Sequence, residues 1–218
     1  MKSIVSTVPL RNRNTGKFED ATLFRGISVD NLAHIETRWR PLFEIRRREA
    51  QQLGQSMADI NAEDAHWEWG QKMLIAEKDP LIYDIYVIEC GFNTQAVMLV
   101  RKGGLKCICR HPDERPTSRL LYVDFLATAP WNRDKLVSDP TYSGCGRILI
   151  STAVDLSFEE ENCGRIGLHS LPGAEEFYRG KVGMTDLGPD ENCYGLRYFE
   201  ISAATAASMF ASPSTSEE

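Results

Sequence analysis

The chain has 218 residues, 42% hydrophobic and 26% charged, enough to bury one ordinary α/β core and short for two. Its 25 Lys and Arg against 31 Asp and Glu give a formal net charge of -6, which argues against a nucleic-acid footprint and suits a cationic substrate such as an amine. Six Cys at irregular spacing, with no charged-then-apolar leader before them, indicate free thiols in a reducing compartment, and no run of about 18 apolar residues is present to span a membrane, so the expectation is a soluble, cytoplasmic protein.

Residues 1–20, with Arg11, Asn12, Arg13, Asn14, Thr15, Gly16 and Lys17, are polar and turn-rich and read as an N-terminal arm, with 21–202 as a single domain. Residues 22–29 alternate as a first strand. Asp30 then caps a helix with the apolar stripe Leu32, Ile35, Trp39, Leu42, Phe43 and Leu53, and Pro41 should split that helix in two. Between 59 and 78, Ala65, Trp69, Met73 and Ala76 recur at helical spacing until Asp79-Pro80 ends the run. Residues 82–90 and 94–101 read as a hairpin across Gly91-Phe92-Asn93, and 119–128 as a third strong strand stopped by Ala129-Pro130. Residues 144–162 carry Ile148, Leu149, Thr152, Ala153 and Leu156 on one helical face, with Gly164 where a helix C-terminus wants φ > 0. A short buried strand at 165–170, a helix opened by Pro172 and a last strand at 193–202 follow, and 203–218 reads as a disordered tail.

The segment richest in chemical information is a strand, a loop with two glycines one residue apart, and a helix: residues 120–128, then Ser143-Gly144-Cys145-Gly146, then Arg147 onward. A helix N-terminus presents unpaired N–H groups and partial positive charge, and small residues let a phosphate approach that backbone. The loop has no Lys-Ser/Thr after its second glycine and no third glycine at dinucleotide spacing, so two familiar nucleotide motifs are excluded. A turn that merely needs glycine is the structural alternative.

The order of these elements resembles the GCN5-related N-acetyltransferase superfamily. Leu126-Ala127-Thr128-Ala129-Pro130 stands for the family's strand end and residues 141–146 for its Arg/Gln-x-x-Gly-x-Gly/Ala loop, with Thr141 in place of Arg or Gln and residues 131–140 as an insertion. Ala174-Glu175-Glu176-Phe177-Tyr178 and Gly183-Met184 resemble its second signature, with Leu171 in place of the customary Asn and one extra residue between Tyr178 and Gly183. The resemblance implies an α/β (α+β) fold: a mixed, mainly antiparallel sheet splayed between its fourth and fifth strands and flanked by helices. It implies acetyl-CoA or another acyl-CoA as co-substrate, with Leu126, Ala127 and Thr128 pairing with the pantetheine arm and Ser143, Gly144, Cys145, Gly146 and Arg147 holding the pyrophosphate. Tyr178 would protonate the departing thiolate; a core aromatic beside Phe177 is the alternative.

The attacking amine must lose a proton. Asp124, two residues before Leu126 and so expected on the same face, is the first candidate base or anchor for a relaying water, and His169 is the second; an Asp paired with Arg119 or Arg165 is the structural alternative. Trp67, Glu68 and Trp69, with Asp64 one turn earlier, lie where the family forms its acceptor wall and would suit an ammonium through cation–π attraction and charge pairing. No metal is expected: Cys107, Cys109 and His111 alternate but lack a fourth ligand and a Cys-x-x-Cys pair. The function expected is acetyl transfer to a primary amine by direct attack in a ternary complex, with no nucleic-acid or membrane partner. A catalytically inactive CoA-binding or regulatory module is the alternative, and the acceptor and the oligomeric state, homodimer included, stay open.

Overall fold

In a computed structural model that describes residues 2–210, the polar N-terminus is strand rather than arm: Ser3–Asn12 (β1) pairs antiparallel with Phe18–Arg25 (β2). The sequence conceals this because β1 is nearly all exposed and sends only Val8 and Leu10 toward the core. The residues that suggested an arm build the turn. Asn12 Oδ1 accepts the N–H groups of Asn14 and Thr15, and Gly16 takes φ 70.

Ser28, not Asp30, caps the next helix. Its hydroxyl accepts the Asn31 N–H while Asn31 returns a bond to the Ser28 N–H, a reciprocal cap on α1 (Val29–His34). The expected break at Pro41 does not occur. A π turn at Ile35–Trp39 joins α1 to α2 (Arg40–Gln52) without interruption, and this widened turn lies directly before the proline, which has no N–H to give to a preceding carbonyl. Ile35, Trp39 and Phe43 are buried from this run, whereas Leu53 is exposed. The expected helix over 59–78 is shorter: a single turn at Glu63–His66 and then α3 (Trp69–Lys78).

The central hairpin is β3 (Tyr83–Cys90) and β4 (Asn93–Arg101), turned by Gly91 and Phe92, both at positive φ. β5 (Leu121–Thr128), the two-residue β6 (Tyr142–Ser143), α4 (Cys145–Glu159) and β7 (Ile166–Ser170) follow. β8 (Thr185–Asp190) is a strand that Gly188 and Pro189 disguise as a turn; its pairing with β9 (Leu196–Ile201) shifts register between Asp186 and Pro189. The tail begins as a helix, α5 (Ala203–Phe210), nucleated by Ser202, whose hydroxyl accepts the Thr205 N–H; the remainder of the expected tail lies outside the described residues.

The strands form one sheet in the order β6-β1-β2-β3-β4-β5-β7-β9-β8, and among these pairs only β5 with β7 is parallel. Strand alternation divides the core. Ile88, Ala96, Met98 and Val100 face α4, while Val87, Val97 and Leu99 face Trp39, Phe43 and Trp69 of the helical layer formed by α1 to α3. The central strands are therefore apolar on both faces, which is why 82–101 reads as almost continuously hydrophobic. No helix among the described residues is long and apolar enough to cross a membrane.

Candidate functional site

β5 and β7 pair only at Leu121 with Ile166 and Tyr122 with Gly167, and beyond those residues the two strands part into a cleft. A bulge shapes the open edge. β4 pairs Leu99 with Phe125 and Val100 with Val123, leaving Asp124 as the extra residue. Leu121 N–H bonds Arg165 O on the β7 side, and Ala129 N–H bonds Gln95 O next to β4. Counting back from Ala129, strand alternation turns the backbone of Leu126 and Thr128 away from β4 and into the cleft. The Thr128 carbonyl is occupied there by Arg133 Nε (3.0 Å) and Nη2 (2.6 Å). The bulge also corrects the expected position of Asp124. Val123, not Asp124, shares the α4-side core with Leu126, and Asp124 turns to the opposite face, bonded to Arg101 Nε (2.8 Å) and Lys106 Nζ (3.4 Å). Its partner is the cross-strand Arg101 rather than Arg119 or Arg165.

After β6, Gly144 takes φ 101 and starts α4 with no side-chain cap, and Ile148 is the first residue to donate back to it. The N–H groups of Cys145, Gly146 and Arg147 precede that bond, so they form an uncapped, partially positive terminus. Ser143, Gly144 and Arg147 are exposed; the Cys145 thiol points inward, where burial pushes its pKa up to about 12. The two glycines answer different needs. Gly144 supplies the backbone conformation, whereas a Cβ on Gly146 would come within 2.9 Å of Phe177 Cζ. Residues 131–140 are firmly tied: Gln95 Oε1 accepts both Trp131 Nε1 and Asn132 Nδ2 at 2.9 Å, and Asn132 Oδ1 accepts the Tyr142 N–H.

Tyr178 follows Phe177 in a π turn, Phe177–Val182, where the Gly183 N–H reaches the Tyr178 carbonyl five residues back. That wider turn absorbs the one extra residue between Tyr178 and Gly183 noted in the sequence. The Tyr178 ring is buried beside Phe177 and Phe199, and its hydroxyl has no hydrogen-bond partner among the described residues. Burial, aided by the Asp64 carboxylate, holds this phenol well above its ordinary pKa.

On the opposite face the expected acceptor wall is largely satisfied from within. Asp64 is buried and clasped by Arg133 through two bonds of 2.6 and 2.7 Å, so it is not free for an incoming ammonium. Glu68 reaches Arg40 at 3.1 Å. Trp67 packs edge-on against Phe125 (4.8 Å) and Trp69 (6.3 Å), but Lys72 already sits over this group, its Nζ 3.7 Å from the Phe125 centroid. A further clasp crosses the cleft, where the Gly173 N–H donates to Glu63 Oε2 at 2.8 Å.

His169 belongs to a buried chain. Its Nε2 meets Asp190 Oδ2 at 3.0 Å, and its Nδ1 meets the Tyr122 hydroxyl at 2.6 Å. A carboxylate only accepts, so the network assigns the ring proton to Nε2 and leaves Nδ1 to accept from Tyr122. Burial keeps the imidazole pKa below its ordinary value in spite of Asp190. Asp190 is itself held well below the usual carboxylate range by Arg110 and His169. Cys109 and His111 serve the neighbouring strand: Glu200 accepts the Cys109 thiol and the backbone N–H groups of Arg110 and His111. Among the described residues, no group of three or more His, Cys, Asp or Glu is gathered as a metal site.

Arg133, Lys72 and the partners of His169, Tyr122 and Asp190, are the residues that sequence reasoning missed. Arg133 lay in a segment read as an insertion. Lys72 lay on a helix read from its apolar positions alone. The third set is scattered over 69 residues of sequence and joined only by the sheet.

No family model matches the sequence, and no curated protein matches it. In structure the chain is similar to the PaiA N-acetyltransferase from Thermoplasma acidophilum in complex with coenzyme A, with a TM-score of 0.52 and 11% identity over 84% of this chain and 98% of that one. It is likewise similar to the GNAT domain of PAT from S. lividans, with a TM-score of 0.52 and 14% identity over 89% of this chain and 96% of that one. At these identities the likeness is one of fold.

Proposed function

The chain has the fold of the GCN5-related N-acetyltransferases, and from that premise we propose that it is an acyl-CoA-dependent N-acyltransferase moving an acetyl group from acetyl-CoA to a primary amine by direct attack in a ternary complex. One observation supports this: among the described residues the Leu126 backbone has no strand partner beyond the splay of β5 from β7, and the uncapped helix terminus at residues 144–147 and the unpartnered Tyr178 phenol meet at Phe177.

In this reading the pantetheine arm pairs with the free backbone of Leu126 as an added strand, Thr128 offering only its N–H because Arg133 holds its carbonyl, and the pyrophosphate lies on Ser143 to Arg147, where backbone donors and the helix dipole favour an anion. The amine nitrogen attacks the thioester carbon. An N–C bond forms, the C–S bond breaks, and Tyr178 gives its proton to the leaving thiolate. A phenol whose pKa is held high by burial remains a donor throughout the neutral range.

The nitrogen's proton leaves by water to the Tyr122 hydroxyl, which passes its own proton to His169 Nδ1. Asp190 holds the resulting imidazolium. Asp124, with oxygens engaged by Arg101 and Lys106, is the electrostatic anchor for that water rather than the terminal base.

Calorimetric titration with acetyl-CoA is the test, on the wild-type protein and on Gly146→Asp, which places a carboxylate against the phosphates and a side chain against Phe177. Binding by the wild type should weaken by at least about tenfold in the variant, one lost charge-assisted contact or more. Equal affinities would remove the loop from the site. Initial rates of CoA release with polyamines, amino acids and aminoglycosides should then give intersecting double-reciprocal lines, and parallel lines would overturn direct attack.

A further inference from the structure

Lys72 is 8% exposed on α3, and its Nζ lies 3.7 Å from the ring centroid of Phe125, 5.6 Å from that of Trp67 and 5.9 Å from that of Trp69. Its Nζ makes no ion pair and no hydrogen bond among the described residues; Glu68 and Asp124 act on it only at longer range. The stem of this side chain is buried and its ammonium has aromatic rings rather than a carboxylate in contact, so part of its hydration is lost, and cation–π attraction offsets only some of that cost. Desolvation accordingly draws the Lys72 pKa below its ordinary value, which raises the fraction carrying a nucleophilic lone pair. Its position matters equally. Phe125 lies between the bulged Asp124 and Leu126 on β5, so this amine stands over the strand assigned above to the acyl-CoA arm, on the face where an acceptor amine would approach. The aromatic group that the sequence offers to a substrate ammonium is thus occupied by an amine of the chain itself.

We propose that Lys72 is an acyl acceptor within its own chain, so that the protein acylates itself at this position. The step rests on the acyl-CoA reading above and needs no other reagent. The neutral Lys72 nitrogen attacks the thioester carbon, the N–C bond forms, the C–S bond breaks, and the thiolate leaves as CoA after taking a proton from Tyr178. The proton lost by the nitrogen leaves by water through the Tyr122–His169 path. The product is a neutral N-acyl side chain among Trp67, Trp69 and Phe125, which removes the unpaired charge and fills the acceptor side of the cleft.

The test is incubation of the full chain with acetyl-CoA, followed by peptide mass mapping, with acetyl-CoA binding measured in parallel by calorimetry. Lys72 should become acetylated to near one equivalent, at least about tenfold faster than the exposed Lys17, Lys78, Lys135 and Lys181. The first-order rate should be unchanged across a roughly tenfold range of protein concentration, as intramolecular transfer requires. Gly146→Asp should slow Lys72 to the rate of the exposed lysines, and Lys72→Arg should abolish the modification. Bound acetyl-CoA with Lys72 unmodified, or modified no faster than the surface lysines, would overturn self-acylation and leave the acyltransferase reading standing. Failure of acetyl-CoA to bind at all would remove both.

Discussion

The two sides of the cleft are built on opposite rules. On the α4 side, groups are left unpaired among the described residues: the edge of β5 at Leu126, the first N–H groups of α4 and the Tyr178 hydroxyl. On the α1-to-α3 side, the carboxylates expected to meet a substrate have found partners from the same chain, Asp64 with Arg133, Glu68 with Arg40, Asp124 with Arg101. Lys72, over its aromatic rings, has no such partner among the described residues. A backbone left open by a splay or a helix start needs a ligand or water to complete it. A carboxylate or an aromatic ring on a crowded face is more readily completed from within, so composition alone is a poor guide to an acceptor site.

The sharpest way to break this contrast is at Asp64. Its pair with Arg133 is buried and bidentate, and Arg133 also holds the Asn61 and Thr128 carbonyls. Asp64→Ala leaves a guanidinium buried without its counter-charge, and the expected loss is about 3–5 kcal/mol by urea unfolding. An acceptor ligand would behave differently, with stability kept and KM for the amine raised. That second pattern would return Asp64 to the substrate wall.

On the other side the expected effect is catalytic and smaller in free energy. Tyr178→Phe removes a hydroxyl that bonds nothing among the described residues, so stability should change little, while turnover falls by roughly 10²-fold and acetyl-CoA affinity stays similar. Turnover equal to wild type, with chemistry rate-limiting, would make Tyr178 a core aromatic, the partner of Phe177 and Phe199 and nothing more.

What was legible in the sequence follows the same division. Gly144 and Gly146 mark the loop because one needs positive φ and the other must admit Phe177, and both constraints leave glycine in the sequence. Gly91 marked the β3–β4 hairpin in the same way. The bulge at Asp124 left no such mark, since neither glycine nor proline accompanies it, and the missing residue of register reversed the side on which Asp124 was expected. β1 was hidden by its exposure and β8 by Gly188 and Pro189, while the pairing of Asp64 with Arg133 joins residues 69 positions apart. Local conformational demands show in a sequence, and partnerships made by tertiary packing do not.

The smallest expected effect concerns His169, and it sharpens the comparison because this residue is paired on both ring nitrogens yet is assigned a chemical role. Its folded pKa lies below the ordinary imidazole value of 6.5, with burial as the first cause. Between those two values the unfolded chain binds more protons than the folded one, so stability rises with pH through that window. The contribution is fully present above the unfolded value and is lost as pH falls below it. Lys72, also depressed by burial, obeys the same sign, but its window lies below 10.5 and is separable on the pH axis. Urea unfolding between about pH 5 and pH 8 should therefore show a slope for the wild type that His169→Gln flattens. A structural histidine would give that slope as well, so the kinetic profile decides. If His169 takes the proton through Tyr122, the acid limb of kcat/KM lies below 6.5, disappears in His169→Gln and persists at reduced rate in Asp124→Asn. A limb that survives in His169→Gln and vanishes in Asp124→Asn would transfer the base to Asp124, and would mean that its pairs with Arg101 and Lys106 open during turnover.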